Sequence, residues 1–274
     1  MKTLVLHSLE TSAAKKLALE LKGEIEVRKS HFRIHTKKDF DIENFRLSNN
    51  FDLNIFDNNF DYQNIKLMVS DMDSTLITVE TIDEVAKEVG LKDEISLITE
   101  AAMQGHLDFT ESFKKRLSIL KGVSNSSFES VYNKKVEFSP GAKVLIEYFK
   151  SNQIRTAVVS GGLSFFAKKL QSQLGIDNCR ANNVEIINQS ITGNVIGNVI
   201  DAKEKAKYID ELCDQYKLKN NQVIAIGDGA NDIEMMKVAG LSVAYHAKPI
   251  LKQYCDIQIN YGSLASLIDF FVDA

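Results

Sequence analysis

Residues 66–76 read KLMVSDMDSTL: an apolar run, Leu67, Met68 and Val69, that breaks off at two carboxylates, Asp71 and Asp73, followed by Ser74 and Thr75. A short continuous apolar segment is what a strand buried on both faces requires, and a parallel sheet covered by helices supplies that setting. Carboxylates two residues apart repel each other, so something at this strand tip has to offset their charge. Two later apolar segments end as abruptly, IRTAVVS (154–160) in Ser160-Gly161-Gly162 and QVIAIG (222–227) in Asp228-Gly229-Ala230-Asn231-Asp232. If these strands are parallel neighbours, all three tips meet on one rim, at the carboxyl end of the sheet where such folds bind ligands. An acidic, oxygen-only donor set there favours a hard cation such as Mg²⁺ together with a phosphate.

Outward from that stretch the texture is helical and apolar segments in alternation. Helices are expected at 142–152, 164–174, 204–216 and 231–240, and further strands at 241–245 and 256–260. The pattern predicts an α/β fold, a Rossmann-like parallel sheet with helices on both faces. Between the first core strand and the SPG segment, residues about 77–138 carry three helical patterns and predict a helical cap over the rim. Residues 1–64 predict a separate small α+β domain: a strand at 2–7, a helix at 11–22 and two strands within 24–36. Its second helix, 37–47, is weak, and the Asn- and Asp-rich 48–64 reads as turn and linker, so a βαββαβ unit looks incomplete. The remainder, 65–274, is taken as one catalytic domain.

A net charge of −4 over 274 residues argues against a nucleic-acid backbone as partner. No apolar run approaches the roughly 20 residues needed to span a bilayer, and the amino terminus lacks a sustained apolar core, so no membrane partner and a cytoplasmic location are expected. Cys179, Cys213 and Cys255 are odd in number and widely spaced, which reads as burial rather than as a disulfide framework. His31 and His35 in HFRIH sit on strand-like sequence roughly 13 Å apart, too far to share one ion. A homodimer is compatible with the sequence but not required by it.

DMDSTL, SGG, a lysine in DAKEKAK and GDGAND together resemble the four signature motifs of the haloacid dehalogenase superfamily of phosphotransferases. Residues about 65–270 are similar, more narrowly, to the bacterial phosphoserine phosphatases, through DMDSTLITVETIDEVA, residues 101–122, SPGAKVLIEYFK, VVSGGLSFFAKKL, IGDGANDIEMMKVAG and AKPILK. The resemblance implies Mg²⁺-dependent hydrolysis of phosphoserine through an aspartyl-phosphate. Asp71 would be the nucleophile and Asp73 the acid and base. Mg²⁺ would rest on Asp71, the Asp73 carbonyl and Asp228, with Asp232 in support. Ser160, Gly161, Gly162 and Asn231 would bind phosphate, and Lys205 would face the phosphoryl group. Lys203 and Lys207 are its rivals; position relative to GDGAND in the family selects Lys205. Glu80 would meet the substrate's ammonium and Arg116 its carboxylate, with Met103 and Phe109 lining the pocket. The same residues are compatible with transfer to an alcohol such as homoserine, or with another small phosphomonoester. A phosphate-receiving signalling domain is disfavoured by Asp73 and by the cap. Some members of the family carry an ACT-like unit at the amino terminus, and the βαββ pattern here is compatible with such an amino-acid-binding or dimerising module.

Overall fold

The computed structural model describes residues 1–103 and 106–272. The chain opens with β1 (Lys2–Leu6), α1 (Thr11–Leu21), β2 (Glu24–Val27), β3 (Phe32–Thr36), α2 (Ile42–Leu47) and β4 (Leu53–Phe56). These strands form an antiparallel sheet in the order β2-β3-β1-β4, so the βαββαβ set is complete, contrary to the sequence reading. The missed strand is β4. Its polar residues are occupied as contacts: buried Asn54 donates through Nδ2 to the Gln258 carbonyl at 2.9 Å and accepts from Gln258 N at 2.8 Å. The Asp52 carboxylate likewise accepts from the backbone N–H groups of Asn260, Tyr261 and Gly262. Composition that signals a linker is here spent on docking one sheet against the edge of the next.

The second sheet begins with β5 (Leu67–Ser70), and the cap follows as α3 (Thr81–Glu88), α4 (Lys92–Met103), α5 (Phe109–Ile119) and α6 (Asn125–Lys135). After α7 (Ala142–Ser151) come β6 (Arg155–Leu163), α8 (Ser164–Leu174), β7 (Asn178–Ile187), β8 (Ser190–Ile196) and α9 (Ala202–Tyr216). The chain then forms β9 (Val223–Gly227), α10 (Ile233–Val238), β10 (Leu241–Tyr245), α11 (Pro249–Lys252) and β11 (Ile257–Ile259). Strand order is β11-β10-β9-β5-β6-β7-β8, parallel except for the β7–β8 hairpin. The sheet is therefore mixed rather than purely parallel. Every residue of β5 and β9 is buried, which explains their unbroken apolar character. One face packs Leu67, Val69 and Ala225 with Ile209 and Leu212 of α9 and Met235 of α10, and the other packs Met68, Ile224 and Ile226 with Phe149 of α7.

The hairpin had no counterpart in the sequence reading. Its turn, Asn188-Gln189, holds both residues at positive φ (50° and 63°), as a two-residue hairpin turn demands, but without the glycine that usually announces one. It braces the cap: Gly122 N donates to the Ile191 carbonyl at 2.8 Å, Ile191 N to Val123 at 3.0 Å and Asn125 N to Gln189 at 2.8 Å. At the cap's root, Ile77 pairs with Phe138 across its two connecting strands, and Ser139 N donates to the Leu76 carbonyl at 2.9 Å.

Candidate active site

The strand order reverses at β5, which lies between β9 and β6, so the three polar tips stand side by side at the carboxyl ends of adjacent strands. Asp71 N donates to the Ile226 carbonyl at 2.9 Å, fastening the first tip to the third. Asp71 and Asp228 are buried, and Asp232 is fully so. Among the described residues, these three bring carboxylate oxygens within 4.8 Å of one another.

Lys205 provides the cation that faces them. It projects from the buried stripe of α9 that also carries Tyr208, Ile209 and Leu212, whereas Lys203 and Lys207 point to solvent. Its Nζ lies 2.9 Å from Asp71 Oδ1 and 2.7 Å from Asp232 Oδ1. The other Asp232 oxygen accepts from the N–H groups of Asp228 and Gly229, each at 3.1 Å. Asp232 is thereby committed to Lys205 and to the Gly227-Asp228-Gly229 turn. Burial by itself would discharge Lys205, but the Asp232 and Asp71 carboxylates outweigh it and hold the ammonium charged.

Three carboxylates against one ammonium leave an excess of two negative charges among buried side chains. Burial, then Asp232, pushes Asp71 well above the usual carboxylate range, while burial with Asp232 and Glu80 pushes Asp228 up to about 7. A divalent cation matches that excess, and the all-oxygen donor set suits a hard one.

Asp73 faces the pocket two residues after Asp71, half-buried. One oxygen accepts from Thr81 N at the start of α3, at 3.1 Å, and the other lies 3.4 Å from Ser160 Oγ. Burial and nearby Glu80 raise its pKa to about 7, so the carboxyl keeps a proton close to neutrality. Ser74, at φ 55°, turns the chain so that its hydroxyl donates to Glu80 Oε1 at 2.7 Å.

The two glycines after Ser160 are fixed by close approach. A Cβ on Gly162 would stand 2.6 Å from Asp73 Oδ2, and one on Gly161 would stand 2.5 Å from the Phe109 ring at the start of α5. Gly162 N donates to Ser160 Oγ at 2.8 Å. Asn231 lies 3.5 Å from Asp71 Oδ2 through its amide nitrogen. A cavity of about 840 Å³ gathers Asp71, Asp73, Glu80, Arg116, Ser160, Gly161, Gly162, Phe109, Asp228 and Asn231 on its walls. Met103 ends α4, and its side chain lies outside the described residues.

Sequence reasoning missed three residues. Asp83 and Lys248 also line the cavity. Asn182, fully buried on β7, donates to the Gly161 carbonyl and accepts from Ile200 N, both at 2.8 Å, joining the end of β6 to the segment that enters α9. For Lys205 the helical phase itself was a usable signal. For Asp83 and Asn182 there was none, because their neighbours come from distant segments.

The site thus joins an aspartate pair at one strand tip, a hydroxyl and two glycines at the next, and an acidic turn at the third, under a helical insert. The model of the haloacid dehalogenase-like hydrolases matches residues 68–237. The chain belongs to the haloacid dehalogenase-like hydrolases. This hydrolase is 43% identical over 209 residues to a phosphoserine phosphatase of Polaromonas sp., a match covering 74% of this chain and 89% of that protein. Among solved structures it is similar to a HAD family hydrolase of Salmonella enterica serovar Typhi (TM-score 0.91, 28% identity, covering 99% of this chain and 98% of that one). It is also similar to a probable phosphoserine phosphatase of Vibrio cholerae (TM-score 0.85, 30% identity, covering 98% and 85%). Among the described residues, no helix of this hydrolase is long and apolar enough to cross a membrane.

Proposed function

We propose that this hydrolase is a Mg²⁺-dependent phosphoserine phosphatase that releases L-serine and phosphate. The observation that carries the reading is the placement of Asp71, Asp73 and Ser160 on one rim beneath a cap that presents Glu80 and Arg116 to the same cavity. Asp71 attacks phosphorus, and the serine oxygen leaves with the Asp73 proton. In the second half, Asp73 takes a proton from water as that water displaces the phosphoryl group from Asp71. Lys205, Ser160, Asn231 and the N–H groups of Gly161 and Gly162 oppose the charge on the transferring group. Asp71, Asp228 and the Asp73 carbonyl would hold Mg²⁺, which when bound orients the phosphate and offsets its repulsion from the nucleophile. Asp232 supports that set through Lys205 and the turn it braces.

At the other end of the cavity, Glu80 suits an ammonium and Arg116 a carboxylate. Arg116 is half-buried with its Nε enclosed, its pKa lowered by burial although Asp83, Glu80 and Asp73 oppose that, and it makes no ion pair among the described residues. An incoming carboxylate would complete it.

Release of inorganic phosphate from a panel of phosphorylated amino acids and sugars, with and without Mg²⁺, tests reaction and substrate together. Phosphoserine should be preferred, a chelator should abolish turnover, and serine rather than a new phosphoester should accumulate. Asp71→Asn should lose nearly all activity, and Arg116→Ala should lose far more on phosphoserine than on an aryl phosphate. Phosphate release that persists in Asp71→Asn would end the mechanism.

A further inference from the structure

Asp83 lies one turn into the cap from Glu80, on α3, and contributes to the cavity wall opposite Arg116 of α5. Two buried polar atoms at this end have no hydrogen-bond partner among the described residues: Asp83 Oδ1 and Arg116 Nε. A buried carboxylate oxygen and a buried guanidinium N–H left unpaired in one pocket carry a desolvation cost that a ligand completing them would relieve. The two charges do not satisfy each other, since Asp83 and Arg116 form no ion pair.

The charge count at this end says what the missing ligand must carry. Glu80 and Arg116 alone would sum to zero, and an ester bearing a lone carboxylate could pair with Arg116 without further demand. Asp83 changes the sum to minus one. A carboxylate arriving alone would then meet two acidic groups with one cation. A group that brings an ammonium beside its carboxylate matches both signs.

The geometry points to Asp83 as a specificity-determining residue: with Glu80 it receives the substrate's ammonium, and it sets the preference for an α-amino acid ester over its des-amino counterpart. This rests on the phosphoserine reading above and goes beyond it by assigning discrimination to a residue outside the Glu80 and Arg116 pair. A phosphate-binding role would not produce such a preference, and Asp83 Oδ1 has no hydrogen-bond partner among the described residues.

The test compares kcat/KM for O-phosphoserine, its des-amino analogue 3-phosphooxypropionate and an aryl phosphate, in wild type, Asp83→Asn and Asp83→Glu. Wild-type enzyme that fails on phosphoserine while hydrolysing other esters defeats the substrate reading itself, independently of Asp83. With that reading intact, Asp83→Asn should lose roughly 10- to 100-fold on phosphoserine, mostly through KM. Its aryl phosphatase activity should be unchanged, and its activity on the des-amino ester unchanged or higher. Asp83→Glu keeps the charge and should keep most of the preference for phosphoserine over the des-amino ester. Equal losses on all three substrates, no loss on phosphoserine, or a Glu variant as indiscriminate as the Asn variant would each overturn the assignment.

Discussion

At Asp228, chemistry and stability pull in opposite directions. Its carboxyl is raised to about 7 by burial and by Asp232 and Glu80, so in the metal-free folded chain it keeps a proton that the unfolded chain gives up near pH 4. The folded state therefore binds more protons over that interval, and stability falls as pH rises from about 4 to about 7. Asp228→Asn should abolish phosphatase activity yet stabilise the metal-free protein at pH 8, by roughly 2–4 kcal/mol, with the gain disappearing below pH 4. Urea titrations at the two pH values check this; a destabilised variant at pH 8 would show that the site is not strained by its own charge. Much of this site could be read from single residues, because an apolar strand that stops at a carboxylate is visible one residue at a time. Lys205 was nearly as legible, since its spacing to Tyr208, Ile209 and Leu212 places it on the face where α9 buries its apolar residues. Asp83 was not, because its significance depends on a guanidinium from a different helix.

Among the elements, the end of β6 is the most tightly dimensioned, and it stays extended through Gly161 and Gly162 to Leu163 instead of breaking off at Ser160 as the sequence suggests. It fits only because two successive residues lack side chains, one beneath the Phe109 ring and one against Asp73. Gly162→Ala would place its methyl 2.6 Å from Asp73 Oδ2, so the acid must swing away or the end of β6 must shift. A loss of roughly 100-fold in kcat, with a change in unfolding free energy below about 2 kcal/mol, is expected from misplacing one catalytic group by about 1 Å. Steady-state kinetics beside a denaturation curve separates this from simple unfolding. The elements that escaped sequence reading share a cause. The β4 strand and the β7–β8 hairpin are half-exposed or held by side-chain amides and carboxylates, so neither shows the dense apolar run that betrays β5 or β9. Their partners, Gln258 for Asn54 and α5 for the hairpin, are far away in sequence.

For the whole molecule, the amino-terminal unit and the carboxy-terminal segment meet around Asp269. This buried carboxylate lies 2.8 Å from His7 Nδ1 and accepts from Ser30 Oγ at 2.5 Å, while His31 stands 3.2 Å away and Arg33 Nη2 donates to the Asp269 carbonyl at 3.2 Å. Burial alone would raise its pKa, but hydrogen bonds from His31, His7 and Ser30 and the His7 charge hold it well below the carboxylate range. A depressed carboxyl of this kind adds stability that is complete above pH 4 and is lost as pH falls toward the folded value. Asp269→Asn should cost about 3–5 kcal/mol at pH 7 by stranding the buried groups that face it. It should also flatten the decline of stability between about pH 4 and pH 2, measured by denaturant titration across that range. An unchanged acid limb would mean that the contact does not hold the two parts together.

Asn54 has a further consequence for solubility. β11 is three residues long and ends the seven-stranded sheet, and Gln258 turns its backbone N–H and C=O outward, where the Asn54 amide engages both. A chain beginning near residue 65 would keep every catalytic residue but bare that margin to any passing strand, an opening for self-association. Such a shortened enzyme should turn over normally when dilute and precipitate when concentrated. In that sense the first sixty residues would shield the sheet margin from other chains.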